Sequence, residues 1–579
     1  MLELLQYLRI YRFTILCVVL FTFIQAISEL LLPTLMADIV DVGIINGDIL
    51  YILKVGGIMV LTSIISMASI IIASYLSSKV ASGYSRILRE EIFTKVESFS
   101  LSEFNKIGTA SLITRSTNDI TQIERVTIMG LRMMLRAPML FVGGIIMAIT
   151  RNARLSLLLV IIIPVLFLII VLVSKKAMPL FKMMQKKVDN LNRVVRENLT
   201  GVRVIRAFNR IEYESKRFNR ANMELRDTAI LVNRLMSTLM PIMMIIMNLS
   251  TVAIVWFGGL RINHGSMQIG DLMAFIQYMM QILFSLMMLS MIFVMLPRAS
   301  ASADRINEVL ELFSSIKDMD ETKNISHDKG RIEFRNVSFN YEGAEKPALE
   351  NISFWANPGE ITAIIGGTGS GKSTLVKLIL RFYDINKGHI FINGVDIRQL
   401  SQKELRAMIG YVPQKVSLFS GSISENIRYG KEDASDREVI HAAKIAQAYG
   451  FIQDLEKGFD SIVSQGGTNL SGGQKQRLSI ARALVRKPQI YLFDDCFSAL
   501  DFKTDAKLRM GLSQKLKGAT TIIVAQRIST IVHADQIIVL DEGKIVGRGK
   551  HGELLKTCEV YREIVSSQMG EEGWYGSEQ

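Results

Sequence analysis

The stretch Ile361–Thr374 reads ITAIIGGTGSGKST. A β-branched apolar run enters a glycine loop, then Lys and Ser, then the apolar LVKLIL. That order matches G-x-x-x-x-G-K-[ST] set between a strand and a helix. Gly366, Gly367, Thr368, Gly369, Ser370 and Gly371 let successive backbone N–H groups wrap phosphate oxygens, and the helix N-terminus adds its positive end. Lys372 is placed to reach the outer phosphates and Ser373 to hold a magnesium ion, with Thr374 completing the cradle. The loop predicts an α/β nucleotide-binding domain, and the alternation of short strands and helices over 331–566 agrees.

Further on, IYLFDDCFSALD (Ile490–Asp501) ends a strand on two acids. Asp494 is expected to hold the magnesium shell, directly or through water. Cys496 follows the pair, but Cys17, Cys496 and Cys558 are too scattered for a metal site or a disulfide framework, so a small buried residue in a reduced compartment is expected.

The first half is a different material. About 20 mostly apolar residues span a bilayer, and six segments qualify: Phe13–Leu35, Tyr51–Leu76, Leu135–Thr150, Leu155–Ser174, Leu235–Leu260 and Ile269–Leu296. The first is too long for a cleaved signal, and MLELLQYLRIYR before it predicts a short amphipathic helix at the interface. Lys and Arg crowd the stretches after the second and fourth spans, so those loops and both termini are expected in the cytoplasm. The net charge of +13 is accounted for in this way, without nucleic acid. Both loops keep helical periodicity, which predicts helices running on past the bilayer and turning near Ser102–Gly108 and Asn209–Arg217. Gln25 and Glu29 sit inside the first span, where polar groups are costly; they are candidate substrate contacts facing a cavity or partner helix. Met240, Met243, Met244, Met247, Met279, Met280, Met287 and Met288 suit variable apolar ligands or ordinary helix packing equally well.

NLSGGQKQR (Asn469–Arg477) carries a resemblance. With the phosphate loop upstream and six spans before it, the chain resembles a half-transporter of the ABC exporter superfamily over essentially its whole length. The resemblance implies a six-span α-helical transmembrane domain (1–313), a linker (314–330), an α/β P-loop nucleotide-binding domain with a signature subdomain (331–566) and a polar tail (567–579). In that family Leu470, Ser471, Gly472, Gly473 and Gln474 form the signature that caps ATP bound on the opposing domain. Tyr341 resembles the aromatic that stacks on adenine, Gln414 the glutamine that contacts magnesium and the attacking water, and Asp501 the aspartate that communicates across the interface. The cytoplasmic turns resemble coupling helices.

Three positions depart from the pattern. Asp495 stands where the family carries a catalytic Glu, Gln526 where it carries a γ-phosphate-sensing His, and Gln465 where Glu often precedes the signature. Asp is shorter by roughly 1.5 Å of reach, and a misplacement of about 1 Å can cost on the order of a hundredfold. Losing the histidine removes a donor to the transferring phosphoryl group. With the signature intact, the resemblance implies a heterodimer: a degenerate site that binds Mg-ATP here, and a partner half-transporter with consensus Glu and His. The implied activity is ATP-driven export of hydrophobic or amphipathic compounds, of multidrug type, across the cell membrane by alternating access. A lipid flippase uses the same parts, and a regulatory ATP-binding subunit without its own pathway is a reading of another class. A bacteriocin-type exporter is not expected, since no peptidase-like stretch precedes the first span.

Overall fold

Long apolar helices dominate the first half, and apolar strands the second. A computed structural model describes residues 3–319 and 330–569, so the expected tail from 570 and most of the expected linker, 320–329, lie outside the described residues. The chain forms two compact units, Met1–Ser98 with Ile107–Leu312, and Phe99–Lys106 with Phe313–Gln579.

The first unit is helical: α1 (Arg12–Asp38), α2 (Ile49–Glu97), α3 (Leu101–Ile107), α4 (Thr109–Thr114), α5 (Ile120–Met129), α6 (Leu135–Arg151), α7 (Leu157–Thr200), α8 (Val202–Ala207), α9 (Ile211–Asn263) and α10 (Ile269–Glu311). Most of the short α3 belongs with the second unit. Six stretches are long and apolar enough to cross a membrane: Leu4–Ile44, Ile49–Glu97, Thr109–Arg151, Leu157–Thr200, Ile211–Asn263 and Ile269–Leu289. The 49 residues of α2 extend about 74 Å at the α-helical rise, against a hydrocarbon layer of about 30 Å. The helices therefore run well past the bilayer.

The first excursion turns at α3, where SEFNKIG predicts it. The second turns earlier than expected. Gly201 and the short α8 break the helix, and α9 starts at Ile211, inside the predicted turn. The charges there decorate a helix rather than a loop: Lys216 pairs with Glu212 at 2.7 Å, and Arg217 pairs with Glu214 and, across the turn, with Glu197. The N-terminal segment is helical, a 3-10 helix over Leu4–Tyr11. Leu4 is buried, and its carbonyl accepts the Tyr84 hydroxyl at 3.1 Å. At the opposite end of the spans, Arg151 donates to Asp38 (3.3 Å) and Asp271 (3.0 Å), tying α1, α6 and α10 together. The methionines divide: Met243 and Met279 are buried in helix packing, while Met240 and Met244 are exposed.

The second unit is built on a six-stranded sheet in the spatial order Lys544–Gly549, Gln536–Asp541, Ile361–Gly366, Thr520–Val524, Ile490–Asp494 and Ile409–Val412. All neighbours are parallel except the first pair. A parallel sheet is covered on both faces, which is why TTIIV and IYLFD read as unbroken buried runs. A four-stranded antiparallel sheet packs beside it on one apolar core formed by Phe334, Phe354, Leu375 and Ile390. The parallel strands end together, so their C-terminal edge gathers Gly366, Asp494 and the segment after Val524.

Candidate functional site

The strand Ile361–Gly366 delivers the glycine loop, and the helix Lys372–Ile379 leaves from it. Gly371 caps that helix at φ +97°, and a Cβ there would lie 2.8 Å from the Ala348 carbonyl. The position needs glycine both for its backbone and for the space. Lys372 Nζ donates to the carbonyls of Gly366 (2.8 Å) and Gly367 (2.6 Å), which folds the ammonium over the loop. Burial lowers its pKa, partly countered by Asp495 and Asp494.

Ser373 Oγ donates to Asp494 Oδ1 at 2.9 Å. Burial raises the Asp494 carboxyl above the ordinary range, against the Ser373 bond and the nearby lysines. A buried carboxylate held against a hydroxyl is a donor set that a hard cation would satisfy. Ser370 Oγ is buried without a hydrogen-bond partner, an orphan that a phosphate oxygen would engage. The residues thus fit magnesium and a nucleotide phosphate, with Ser373 and Asp494 able to hold the metal and the loop able to hold the phosphates.

Asp495 sits one residue beyond the strand with φ +48°, a left-handed conformation that Asp tolerates better than most side chains. Its Oδ2 accepts from Gln414 Nε2 (3.0 Å) and from Gln526 Nε2 (2.7 Å). Two amides thereby converge on one carboxylate oxygen. Burial raises the Asp495 pKa, with the Gln414 bond and Lys372 pulling the other way. Next to it, Cys496 is fully buried and its thiol is pushed well up by burial, the inert residue expected.

Residues far apart in sequence support this cluster. The side chain of Gln568, in the last described helix, accepts from Ile528 N–H (2.8 Å) and donates to the Gln526 carbonyl (2.7 Å). It clamps the loop that carries Gln526. Tyr341 lies in an aromatic trio with Phe339 and Tyr383, ring centroids 4.9 and 5.3 Å away, and its hydroxyl is 3.1 Å from Thr374 Oγ1. These rings line a cleft of about 640 Å³. Asn105 of α3 donates to Tyr383 at 3.3 Å, so the predicted turn does touch the nucleotide-domain side of its unit. Neither Gln568 nor Tyr383 belongs to a motif, and local sequence gives no sign of either.

The signature stands apart. Ser471 caps the helix Gly472–Val485: its Oγ accepts from Gln474 N–H (3.3 Å), and Gln474 Oε1 accepts from Ser471 N–H (2.9 Å). Asp501 caps the next helix through Thr504 N–H at 2.9 Å, a bond that lowers its pKa. Among the described residues no hydrogen bond joins Leu470–Gln474 to the phosphate loop. Gln465 opens a short 3-10 turn just before the signature. Gln25 and Glu29 belong to the membrane unit.

The comparisons with known proteins divide the chain in the same way. Residues 15–287 match the ABC transporter transmembrane region and residues 349–498 the ABC transporter family. An uncharacterized ABC transporter ATP-binding protein of Mycobacterium tuberculosis is 42% identical over 567 residues, covering 97% of both chains. The chain belongs to the ABC transporters. An ATP-dependent lipid A-core flippase of Syntrophus aciditrophicus is 32% identical over 84% of this chain and 80% of its own length. Among solved structures, a bacterial Atm1-family ABC exporter with ATP bound superposes with a TM-score of 0.82 at 26% identity, over 97% of this chain and 100% of that one. This ABC transporter is thus an exporter half-transporter with the Atm1-family fold, a multi-pass membrane protein with a cytoplasmic ATP-binding domain.

Proposed function

We propose that this chain is the degenerate-site half of a heterodimeric exporter, with both termini in the cytoplasm. It holds Mg-ATP at its own phosphate loop with little turnover, and it supplies Leu470–Gln474 to the hydrolytic site of a partner with consensus Glu and His. The observation that carries this reading is the double amide contact on Asp495 Oδ2. A general base needs a free lone pair aimed at the attacking water. Here one oxygen of a shortened acid is occupied by two glutamine amides, one of which replaces the family's histidine.

Within the site, Lys372 would neutralise and orient the outer phosphates, Ser373 and Asp494 would hold the cation, and Tyr341 would offer a ring face to adenine. Bound magnesium would offset the charge of the phosphate oxygens. Asp501 and Gln414 carry the state of the site to the opposing domain and to the membrane helices. The cargo is hydrophobic or amphipathic, moved by alternating access. Relatedness to a lipid A-core flippase makes lipid export the second reading.

ATP turnover of the purified chain is the test. A verified homodimer is expected to hydrolyse ATP at or near background, and robust turnover would sink the proposal. Asp495→Glu alone is expected to leave the rate low, because Gln526 still occupies the histidine position. Full recovery from that change would show that Gln526 is not part of the cause.

A further inference from the structure

The membrane unit contains a cavity of about 250 Å³ between α1, α2, α5, α6, α10 and the helical turn Gly130–Met134. Its charged lining residues are Arg132 and Arg136. Glu29, the acid the sequence marks as a candidate substrate contact, is already occupied. Arg136 Nη2 donates to both of its oxygens at 2.8 Å, and Gln25 Nε2 adds a third bond at 2.9 Å. A carboxylate so saturated has little left for a cationic ligand.

Arg132 lies one helical turn before Arg136, and among the described residues its side chain makes no ion pair or hydrogen bond. Two guanidinium groups against one carboxylate leave the cavity with an excess of one positive charge. Arg136 Nε is buried and has no hydrogen-bond partner, a second unanswered donor at the same place. An unmet buried donor is costly, and it calls for an acceptor; beside the added positive charge of Arg132, which is exposed just before the third span, that acceptor is an anion. The remaining wall is apolar and pliable, with Ile70, Met129, Met133 and Met288.

From this charge imbalance we infer that the cavity binds an amphipathic anion. Its phosphate or carboxylate head lies between Arg132 and Arg136, with an alkyl tail along the methionine wall. The inference rests on the exporter reading for the purpose of the site and narrows its cargo away from cationic drugs. Glu29 and Gln25 act by fixing Arg136, not by touching a cation.

The test uses the transporter isolated from its native membrane with its accompanying partner and reconstituted in uncharged lipid. Calorimetric binding compares dodecyl phosphate, dodecyltrimethylammonium (the same tail with opposite charge) and inorganic phosphate (a head without a tail). Dodecyl phosphate is expected to bind at least tenfold more tightly than the ammonium. Arg132→Gln should remove about tenfold of that affinity, while Arg132→Lys keeps most of it and shows that the protein is folded. Inorganic phosphate is expected not to displace the amphipath. Equal or tighter binding of the ammonium, or an Arg132→Gln variant with unchanged preference, would overturn the inference. Displacement by inorganic phosphate at like concentration would overturn its amphipathic part in favour of a free-anion site. ATP-driven movement of the bound probe is read separately. Binding with the expected charge preference but no transport would contradict the exporter reading alone, and transport without that preference would contradict this inference alone.

Discussion

The phosphate-loop cluster and the signature lie in one domain, yet they stand differently against the pattern of the ABC exporters that the sequence resembles. Around Lys372 the groups that bind are present, while the two positions that would handle the attacking water and the γ-phosphate hold Asp495 and Gln526. At Ser471 the capping box is complete and LSGGQ is intact. Under the proposed heterodimer, the difference means that the unit of function is not the chain. On the reading proposed above, each nucleotide site takes its loop from one subunit and its signature from the other, so one half of a site can lose turnover while the other half is kept.

The strongest way to break this contrast is to exchange the damage. In the assembled transporter, Ser471→Arg should lower ATP turnover at least a hundredfold, because a bulky cation at the helix cap blocks the partner's site. Asp495→Asn should change the same rate less than threefold. Steady-state phosphate release measures both, and equal losses would remove the asymmetry.

A repair experiment sharpens the contrast. The double variant Asp495→Glu with Gln526→His should raise turnover of the isolated chain by about ten- to a hundredfold over either single change, since both the base and the phosphoryl donor must return. Additive small gains would argue that other parts of the site limit hydrolysis.

A third test concerns cost. The pKa of Asp494 is raised in the folded chain by burial. Its contribution to stability is therefore complete below the unfolded carboxylate value and is lost as pH rises through the raised folded value. At neutral pH without nucleotide, the charged carboxylate destabilises the domain. Asp494→Asn should then raise the apo melting temperature by about 2–4 °C near pH 7, with the gain fading below about pH 4. The same variant should lose most of the stabilisation that Mg-ATP gives the parent. Calorimetry across pH checks both signs.

The smallest effect is expected at Gln568. Its two hydrogen bonds to the Gln526 loop are worth about 1 kcal/mol each. Gln568→Ala should speed release of a fluorescent ATP analogue from this chain's site a few-fold and leave the partner's turnover nearly unchanged.

How much of this was legible in the sequence depends on how local each feature is. The phosphate loop is a run of neighbouring residues whose spacing dictates its chemistry, the signature and the departure at Asp495 are legible through the family resemblance, and the six spans follow from composition alone. The second turn takes in Asn209 and Arg210 but ends before the rest of NRIEYESKR, because polarity alone cannot separate a loop from a solvated helix closed by ion pairs to Glu197 and Glu214. The sequence marks Glu29, but its partner Arg136 lies 107 residues away, and that partner reverses the charge the site offers. Gln568 reaches back 42 residues to the Gln526 loop without any motif of its own. Long-range partners leave no periodicity to read.

Locating the trapped nucleotide puts the asymmetry to the test most directly. The assembled transporter is incubated with Mg-ATP and vanadate, and photo-crosslinked nucleotide is mapped to each chain. ADP should be trapped at the partner's phosphate loop, with intact ATP retained at Lys372. Trapped ADP in equal amounts at both loops would show that Asp495 and Gln526 support turnover, and would contradict the degenerate-site reading.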